Sequence, residues 1–166
     1  MRKLLAFAAI ISVFAIQACD DDWNECYRGN GILGELEVSL DNFESIEIEN
    51  SIDVELIADT VNMAVISGDD NIIDLVNTRV IGNKLTVDYR SDINCVRPSH
   101  KIVMELHYVS LNDIKIDGSG DVYGVDTINN EKLEITIDGS GNVDLLANNS
   151  DLFIDIDGSG DVAING

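Results

Sequence analysis

Ile116-Asp117-Gly118-Ser119-Gly120-Asp121-Val122 is followed, 21 residues later, by Ile137-Asp138-Gly139-Ser140-Gly141-Asn142-Val143. A further 19 residues on comes Ile156-Asp157-Gly158-Ser159-Gly160-Asp161-Val162. Alignment of the units brings Ile114, Ile135 and Ile154 into one column. Ile116, Ile137 and Ile156 make a second, and Val122, Val143 and Val162 a third. Between them apolar residues alternate with Asp, Lys, Glu or Thr, the pattern of a strand with one buried and one wet face. Gly-Ser-Gly then supplies a tight corner, where glycine takes backbone angles that a side chain forbids. A unit this short cannot bury its own apolar face and must stack on its neighbours. The expectation is an all-β, parallel β-helix-like solenoid with short strands and Gly-Ser-Gly corners. A meander of antiparallel hairpins is the alternative; strict columns of like residues favour the solenoid.

Toward the N-terminus the same alternation continues without the repeat. Leu36 to Leu40, Phe43 to Ile48, Ile52 to Ile57 and Met63 to Ile66 read as short strands separated by Asn, Asp, Ser or Gly. Asn71 to Val80 has room for one helical turn. Gly82-Asn83 reads as a hairpin turn before Leu85 to Tyr89. Ser91 to Ser99, with Cys95 and the only proline, Pro98, reads as an irregular loop, and Ile102 to Val109 as another strand. No amphipathic helix of useful length is expected.

The order of these segments resembles a known family. Phe43-x-x-Ile46-x-Ile48 leads to Ile52-Asp53-Val54-Glu55-Leu56, then to Val65 with Gly68-Asp69-Asp70-Asn71, then to Gly82-Asn83-Lys84-Leu85-Thr86-Val87. With the Gly-Ser-Gly repeats behind them, these segments resemble the auto-transporter adhesin head domain, also called the GIN domain or DUF2807. The resemblance covers about residues 36–166. It implies an all-β, right-handed β-helix-like fold in secreted or lipid-anchored proteins, often of Bacteroidota, and an adhesin-like role. Members commonly run through further repeats, whereas this sequence stops at Asn165-Gly166. The expectation is either a C-terminal truncation or a last coil without its cap, which exposes a strand edge open to pairing.

The N-terminus reads as an export signal. Arg2 and Lys3 precede the apolar run Leu4 to Ile16, broken only by Ser12 and short for a transmembrane helix. Ile16-Gln17-Ala18-Cys19 resembles the lipobox of bacterial lipoproteins, in which the Cys thiol is acylated and becomes the new N-terminus. Asp20, Asp21 and Asp22 resemble the acidic tag that sends such lipoproteins to the outer face of the outer membrane. The expected organisation is a signal peptide at 1–18, an acidic tether at 19–34 and a single β-solenoid domain at 35–166. The expected location is the cell envelope, as a surface-exposed outer-membrane lipoprotein whose membrane contact runs through the lipid on Cys19.

Charge narrows the partners. Ten Lys and Arg stand against 31 Asp and Glu, a net charge of -21. Nucleic acid needs a basic surface and is excluded as a partner, and anionic lipid is an equally poor one. A hydrophobic content of 45% argues against a disordered acidic chain. Beyond Cys19, Cys26 and Cys95 are left as a possible disulfide pair, which export permits.

Chemistry is sparse. Asp117, Asp121, Asp138, Asp157 and Asp161 would gather along one edge of a stacked solenoid, where carboxylates could hold calcium. They faintly resemble a nonapeptide calcium repeat, but the period here is far longer and Asn142 interrupts the middle unit. Corner geometry, with Asp bonding local backbone amides, is the preferred reading, and no metal or cofactor is expected. His100 and His107 lie at an odd offset, on opposite faces of a strand, which disfavours a shared metal site. Ser119 and Ser140 have no His partner in the repeats, so nucleophilic catalysis is unsupported. Trp23 falls in the tether. The expectation is a non-catalytic adhesin-like or structural module that meets an unknown protein or glycan. A carbohydrate-active enzyme on a β-helix scaffold, with Lys115 or Lys132 as the basic group, is the alternative.

Overall fold

A computed structural model describes residues 26–166. Cys19, Asp20 to Asp22 and Trp23 lie outside the described residues. The elements run β1 (Tyr27–Arg28), β2 (Leu33–Ser39), β3 (Ser45–Asn50), β4 (Asp53–Ala58), β5 (Met63–Asp69), α1 (Asp70–Ile73), β6 (Val76–Ile81) and β7 (Lys84–Tyr89). They continue with β8 (Val96–Arg97), β9 (Val103–Tyr108), β10 (Asp113–Gly118), β11 (Val122–Gly139), β12 (Val143–Gly158) and β13 (Val162–Asn165). Among the described residues no helix is long and apolar enough to cross a membrane.

The chain is all-β, and its strands form a curled, open, mixed sheet. Among the described residues β1 pairs only with β8, parallel. The main path is β2-β5-β9-β4-β11-β10-β3-β7-β6, with β12 added on β11 and β13 on β12. Two parallel ladders run through it. In the first, Leu85, Ile46, Ile114, Ile135 and Ile154 stand in register on five successive strands. Val87, Ile48, Ile116, Ile137 and Ile156 do the same two residues on. In the second, Met104, Val54, Val122, Val143 and Val162 are aligned. The columns read from the repeats are therefore real neighbours, and they extend beyond the repeats into β3, β4, β7 and β9.

Two expectations are corrected. The sheet is not parallel throughout: β2 with β5, β5 with β9, and β6 with β7 are antiparallel. The two-residue Gly82-Asn83 turn leaves β7 no other direction relative to β6. Nor are all strands short. β11 and β12 each run on past the second ladder, because residues 127–133 stay paired with 146–152.

A fourth copy of the corner is present. Ile48-Glu49-Asn50-Ser51-Ile52-Asp53-Val54 lies where residues 116–122 lie one layer on, and Asn50 pairs with Gly118. Asn50 has φ 71°, the only non-glycine positive φ among the described residues. Asn is the side chain that best tolerates that region. Its carbonyl accepts the N–H groups of Ser119 and Gly120, and the Gly118 and Gly139 carbonyls accept those of Ser140 and Ser159. At Gly139 a Cβ would meet the Gly118 carbonyl oxygen at 2.1 Å, so the layers close only around glycine.

The core fills the space between the ladders. Ile46, Ile48, Ile114, Ile116, Ile135 and Ile137 are fully buried, with Val54, Leu56, Met104 and Leu106. Each such side chain contributes about 1.5–3 kcal/mol by leaving water. Register, more than local propensity, fixes which residues these are, since a one-residue slip would turn every one outward.

Candidate functional site

The corners were the first candidate. Asp53 Oδ1 accepts the backbone N–H of Asp121 at 3.1 Å. Asp121 Oδ1 in turn accepts the backbone N–H and the Nδ2 of Asn142, each at 2.9 Å. Asn142 Oδ1 then accepts the backbone N–H of Asp161 at 3.1 Å. The side chains of Asp53, Asp121 and Asn142 are each spent on the amide of the next layer. Burial pushes the Asp121 carboxyl up, but the donors from Asn142 and Tyr123 outweigh it and leave it below its usual value. Asp117, Asp138 and Asp157 belong to a different, exposed column, in register with Glu49. The five acidic candidates are thus split between two columns. Among the described residues no group of three or more His, Cys, Asp or Glu is placed to hold a metal ion.

A second constellation lies at the N-terminal side. Cys26 and Cys95 form a disulfide with a Cα–Cα distance of 4.5 Å. Beside it β1 and β8 pair, so residues 26–34 are tied to the domain. Asp69, fully buried at the end of β5, holds the tie together. Its carboxylate accepts the N–H groups of Gly31 at 2.7 Å, Ser99 at 2.6 Å and His100 at 2.9 Å, and lies 3.2 Å from His100 Nδ1. Burial alone would raise its pKa; the backbone donors and the His100 ring prevail and hold it at about 2. Asn71 adds two bonds, donating to the Arg28 carbonyl at 2.8 Å and accepting from Asn30 N–H at 3.0 Å. The Gly68-Asp69-Asp70-Asn71 segment therefore works as a clasp. In the sequence the segment stands out as part of the family pattern, with nothing in it to name Gly31, Ser99 or His100 as its partners.

The remaining candidates are dispersed. His107 Nδ1 lies 2.9 Å from Asp59 Oδ2, so the two histidines serve different carboxylates. Lys115 donates to Glu47 at 2.7 Å, and Lys84 reaches the same carboxylate from β7. Together they hold Glu47 below its ordinary pKa. Lys132 pairs with Glu134 at 2.8 Å.

The turns at one end of the ladders enclose a cleft of about 260 Å³. Asn42, Glu44, Asn62, Asn83 and Ser110 line it, with Phe43 and Val109 as its apolar part. Asn62 braces it, donating to Asn42 Oδ1 at 3.1 Å and accepting the Val109 N–H at 3.0 Å. Amides, a hydroxyl and one carboxylate around a small concavity can exchange several hydrogen bonds with a polar ligand. Its residues come from four separate loops, and in the sequence Phe43 and Asn83 read only as strand and turn residues.

A repeat-built, all-β module with stacked parallel layers, glycine corners and a polar cleft at its turns is the class of protein that these features define. The chain belongs to the family described as "Putative auto-transporter adhesin, head GIN domain", which it matches over residues 42–166. Its fold is shared with solved structures. One, called a "putative adhesin", from Parabacteroides merdae, is 20% identical with a TM-score of 0.73, over 85% of this chain and 59% of that one. Another, called a "putative lipid binding protein", from Parabacteroides distasonis, is 24% identical with a TM-score of 0.74, over 83% of this chain and 61% of that one. A "putative adhesin" from Bacteroides fragilis is 13% identical with a TM-score of 0.59, over 83% of this chain and 99% of that one. The chain spans about three fifths of the length of the first two. No curated protein matches it.

Proposed function

We propose that the chain is a non-catalytic, adhesin-like module of a bacterial cell envelope, held at the outer membrane through a lipid on Cys19 and facing outward. Its ligand is a protein or a glycan, and the cleft lined by Glu44, Asn62 and Asn83 is where contact begins. The observation that carries this reading is the register-locked parallel ladder, which holds equivalent outward side chains at constant spacing and fixes the cleft at its end. Family membership and the adhesin names of similar structures support it. The stacked region 113–165 is read as coils of a right-handed parallel β-helix, supported by the column registers. The lipid anchor is supported by the lipobox-like Ile16 to Cys19, and the outer-face address by Asp20 to Asp22.

The test is a screen of glycans and envelope proteins with the oxidised domain, followed by Glu44→Ala and Asn83→Ala. A ligand whose binding falls at least about tenfold in both variants, at unchanged melting temperature, supports the cleft. A ligand unaffected by either moves the site elsewhere, and no ligand at all sinks the binding reading. Palmitate labelling that persists in Cys19→Ala would overturn the anchor.

A further inference from the structure

The two ends of the strands carry different features. β3 and β7 finish, and β4 and β9 begin, at the end that holds the glycine corners. The stretch from Arg90 to Ile102, with β8 and the Cys26–Cys95 disulfide, crosses that same end, and the Asp69 clasp joins it from β5. The cleft lies at the opposite end, where β3 and β7 begin and β4 and β9 finish. Six-residue strands set the two ends about 20 Å apart. The disulfide end is also where the chain enters the domain. Seven residues separate Cys19 from Cys26 (26 minus 19), a span of no more than about 25 Å. A lipid on Cys19 therefore keeps the disulfide end close to the membrane. Turning the cleft toward the membrane instead would lift Cys26 by about 20 Å and use nearly all of that reach.

The surface at this end suits a membrane. Tyr27, Ile32 and Leu33 are 44%, 58% and 68% exposed. The loop holds them out: Gly31 takes φ 76° and donates to Asp69 at 2.7 Å, while Asn30 Oδ1 accepts the Ile32 N–H at 3.0 Å. Residues 26–34 and 93–104 contain Arg28, Arg97 and Lys101 and no acidic residue, in a chain with 31 Asp and Glu. Arg28 and Arg97 stand in register on β1 and β8. Lys101 is bonded to Asp53 at 2.7 Å, so Arg28 is the exposed cation nearest the tether. Asp69 and Asp70, the acids bonded to residues 26–34, are engaged, Asp69 in the clasp and Asp70 with Asn30 Nδ2 at 2.6 Å. The acidic column of Glu49, Asp117, Asp138 and Asp157 lies farther along the sheet, on β3, β10, β11 and β12. The chain as a whole is too acidic for anionic lipid. Salt screens charges more than about 10 Å apart, however, so a headgroup meets the local pattern. We propose that this end rests on a lipid surface, with Tyr27, Ile32 and Leu33 at headgroup level, Arg28 beside lipid phosphates, and the cleft facing away. The proposal rests on Cys19 as the anchor and adds the orientation of the domain above it.

The experiment uses the full lipidated, oxidised chain in vesicles of phosphatidylcholine with about 30% phosphatidylglycerol, brominated on the acyl chains to quench nearby tryptophan. Trp23→Phe removes the only natural tryptophan. A single reporter is then introduced as Leu33→Trp at the disulfide end or Val109→Trp at the cleft, both exposed positions. The Leu33→Trp reporter should be quenched at least about twofold, and the Val109→Trp reporter hardly at all. Ile32→Trp should repeat the Leu33→Trp result from a second position. Arg28→Glu, at unchanged melting temperature, should relieve the quenching, and so should vesicles of phosphatidylcholine alone. Equal quenching of both reporters, or more at Val109→Trp, overturns the orientation, and quenching of neither overturns the contact. Quenching that neither Arg28→Glu nor the neutral vesicles relieve overturns the pairing with phosphate. A Leu33→Trp reporter already shielded from acrylamide before vesicles are added overturns the contact too, because residues 20–25 would then cover this end. Failure of the anchor reads differently: Cys19→Ala would keep its palmitate label. Where the label is lost in Cys19→Ala and the reporters still fail, the anchor stands and the orientation falls.

Discussion

Asp121 and Asn142 are joined twice: one carboxylate oxygen of Asp121 accepts both the backbone N–H and the side-chain amide of Asn142, each at 2.9 Å. Asn142 passes the pattern on, since its own Oδ1 takes the N–H of Asp161. A neutral residue in this column can donate to one neighbour and accept from the next, and it keeps a further charge from standing between Asp121 and Asp161. The residue that interrupts the acidic repeat is thus the one that lets it stack.

Asn142→Asp removes the donor and makes the column of Asp53, Asp121, position 142 and Asp161 four successive carboxylates. It should cost about 1–3 kcal/mol at pH 7, measured by urea denaturation. Repulsion raises the carboxyl pKa values in the variant, so the difference from the parent should shrink as pH falls through 4. In the parent, millimolar calcium should leave the melting temperature unchanged, because Asp121 is already engaged. A rise of several degrees would restore the calcium site.

The glycine corners make a sharper test. Gly139→Ala forces a Cβ to within 2.1 Å of the Gly118 carbonyl oxygen at φ 143°. It should cost about 2–4 kcal/mol. Asn50→Gly, at the equivalent place one layer from Gly118, should change stability by less than about 1 kcal/mol. Asn50→Val should cost about 1–2 kcal/mol, since a β-branched residue resists positive φ. Equal tolerance of Gly139→Ala and Asn50→Gly would mean that the layers are not this close.

The same corners mark where the sequence could be read and where it could not. Ile114, Ile135 and Ile154 were legible as a column because alternation and glycine recur together within about twenty residues. The layer that includes Ile48 and Val54 was hidden: Asn50 and Ile52 stand where the repeat has glycines, and its partner strand lies 68 residues away. Nor could alternation show that β9 would enter between β4 and β5, parallel to one and antiparallel to the other. Periodicity reports which face is wet and says nothing of which strand lies beside it. The Asp69 clasp draws its donors from Gly31, Ser99 and His100, and the cleft draws its lining from four loops. Such sites exist only after folding.

The disulfide closes a loop between residues 69 apart in sequence. On loop-closure entropy alone, such a link stabilises by about 4 kcal/mol. Reduction, or Cys26→Ser with Cys95→Ser, should lower unfolding stability by up to that amount and speed amide exchange in Tyr27 and Arg28 first. An unchanged denaturation midpoint under reducing conditions would show that β1 and the clasp hold without it.

Tyr108 offers a gain. Its ring is buried, and its hydroxyl finds no hydrogen-bond partner among the described residues. Burial, with Asp126 nearby, also pushes its pKa up. Tyr108→Phe removes the unpaired group and keeps the ring, so it should be neutral or stabilising by up to about 1 kcal/mol. A loss of more than about 1 kcal/mol would reveal a partner for that hydroxyl.

Asp69 sets the acid limit of the N-terminal clasp. Its folded pKa of about 2 lies below the ordinary carboxyl value of 3.8. A depressed carboxyl stabilises the fold fully above its unfolded pKa, and that contribution is lost as pH falls through the folded value. The clasp should therefore be intact at pH 5 and weaken progressively from about pH 4 to about pH 2. Asp69→Asn keeps one acceptor oxygen but turns an N–H donor toward Ser99 and His100. It should lower the melting temperature at pH 7 by roughly 5–10 °C. The gap between parent and variant should then narrow across the same acid window, because protonation removes in the parent what the substitution removed already. A gap of constant size from pH 6 to pH 2 would show that the Asp69 charge contributes nothing, and that the disulfide, β1 and the Asn71 bonds hold residues 26–34 in place without it.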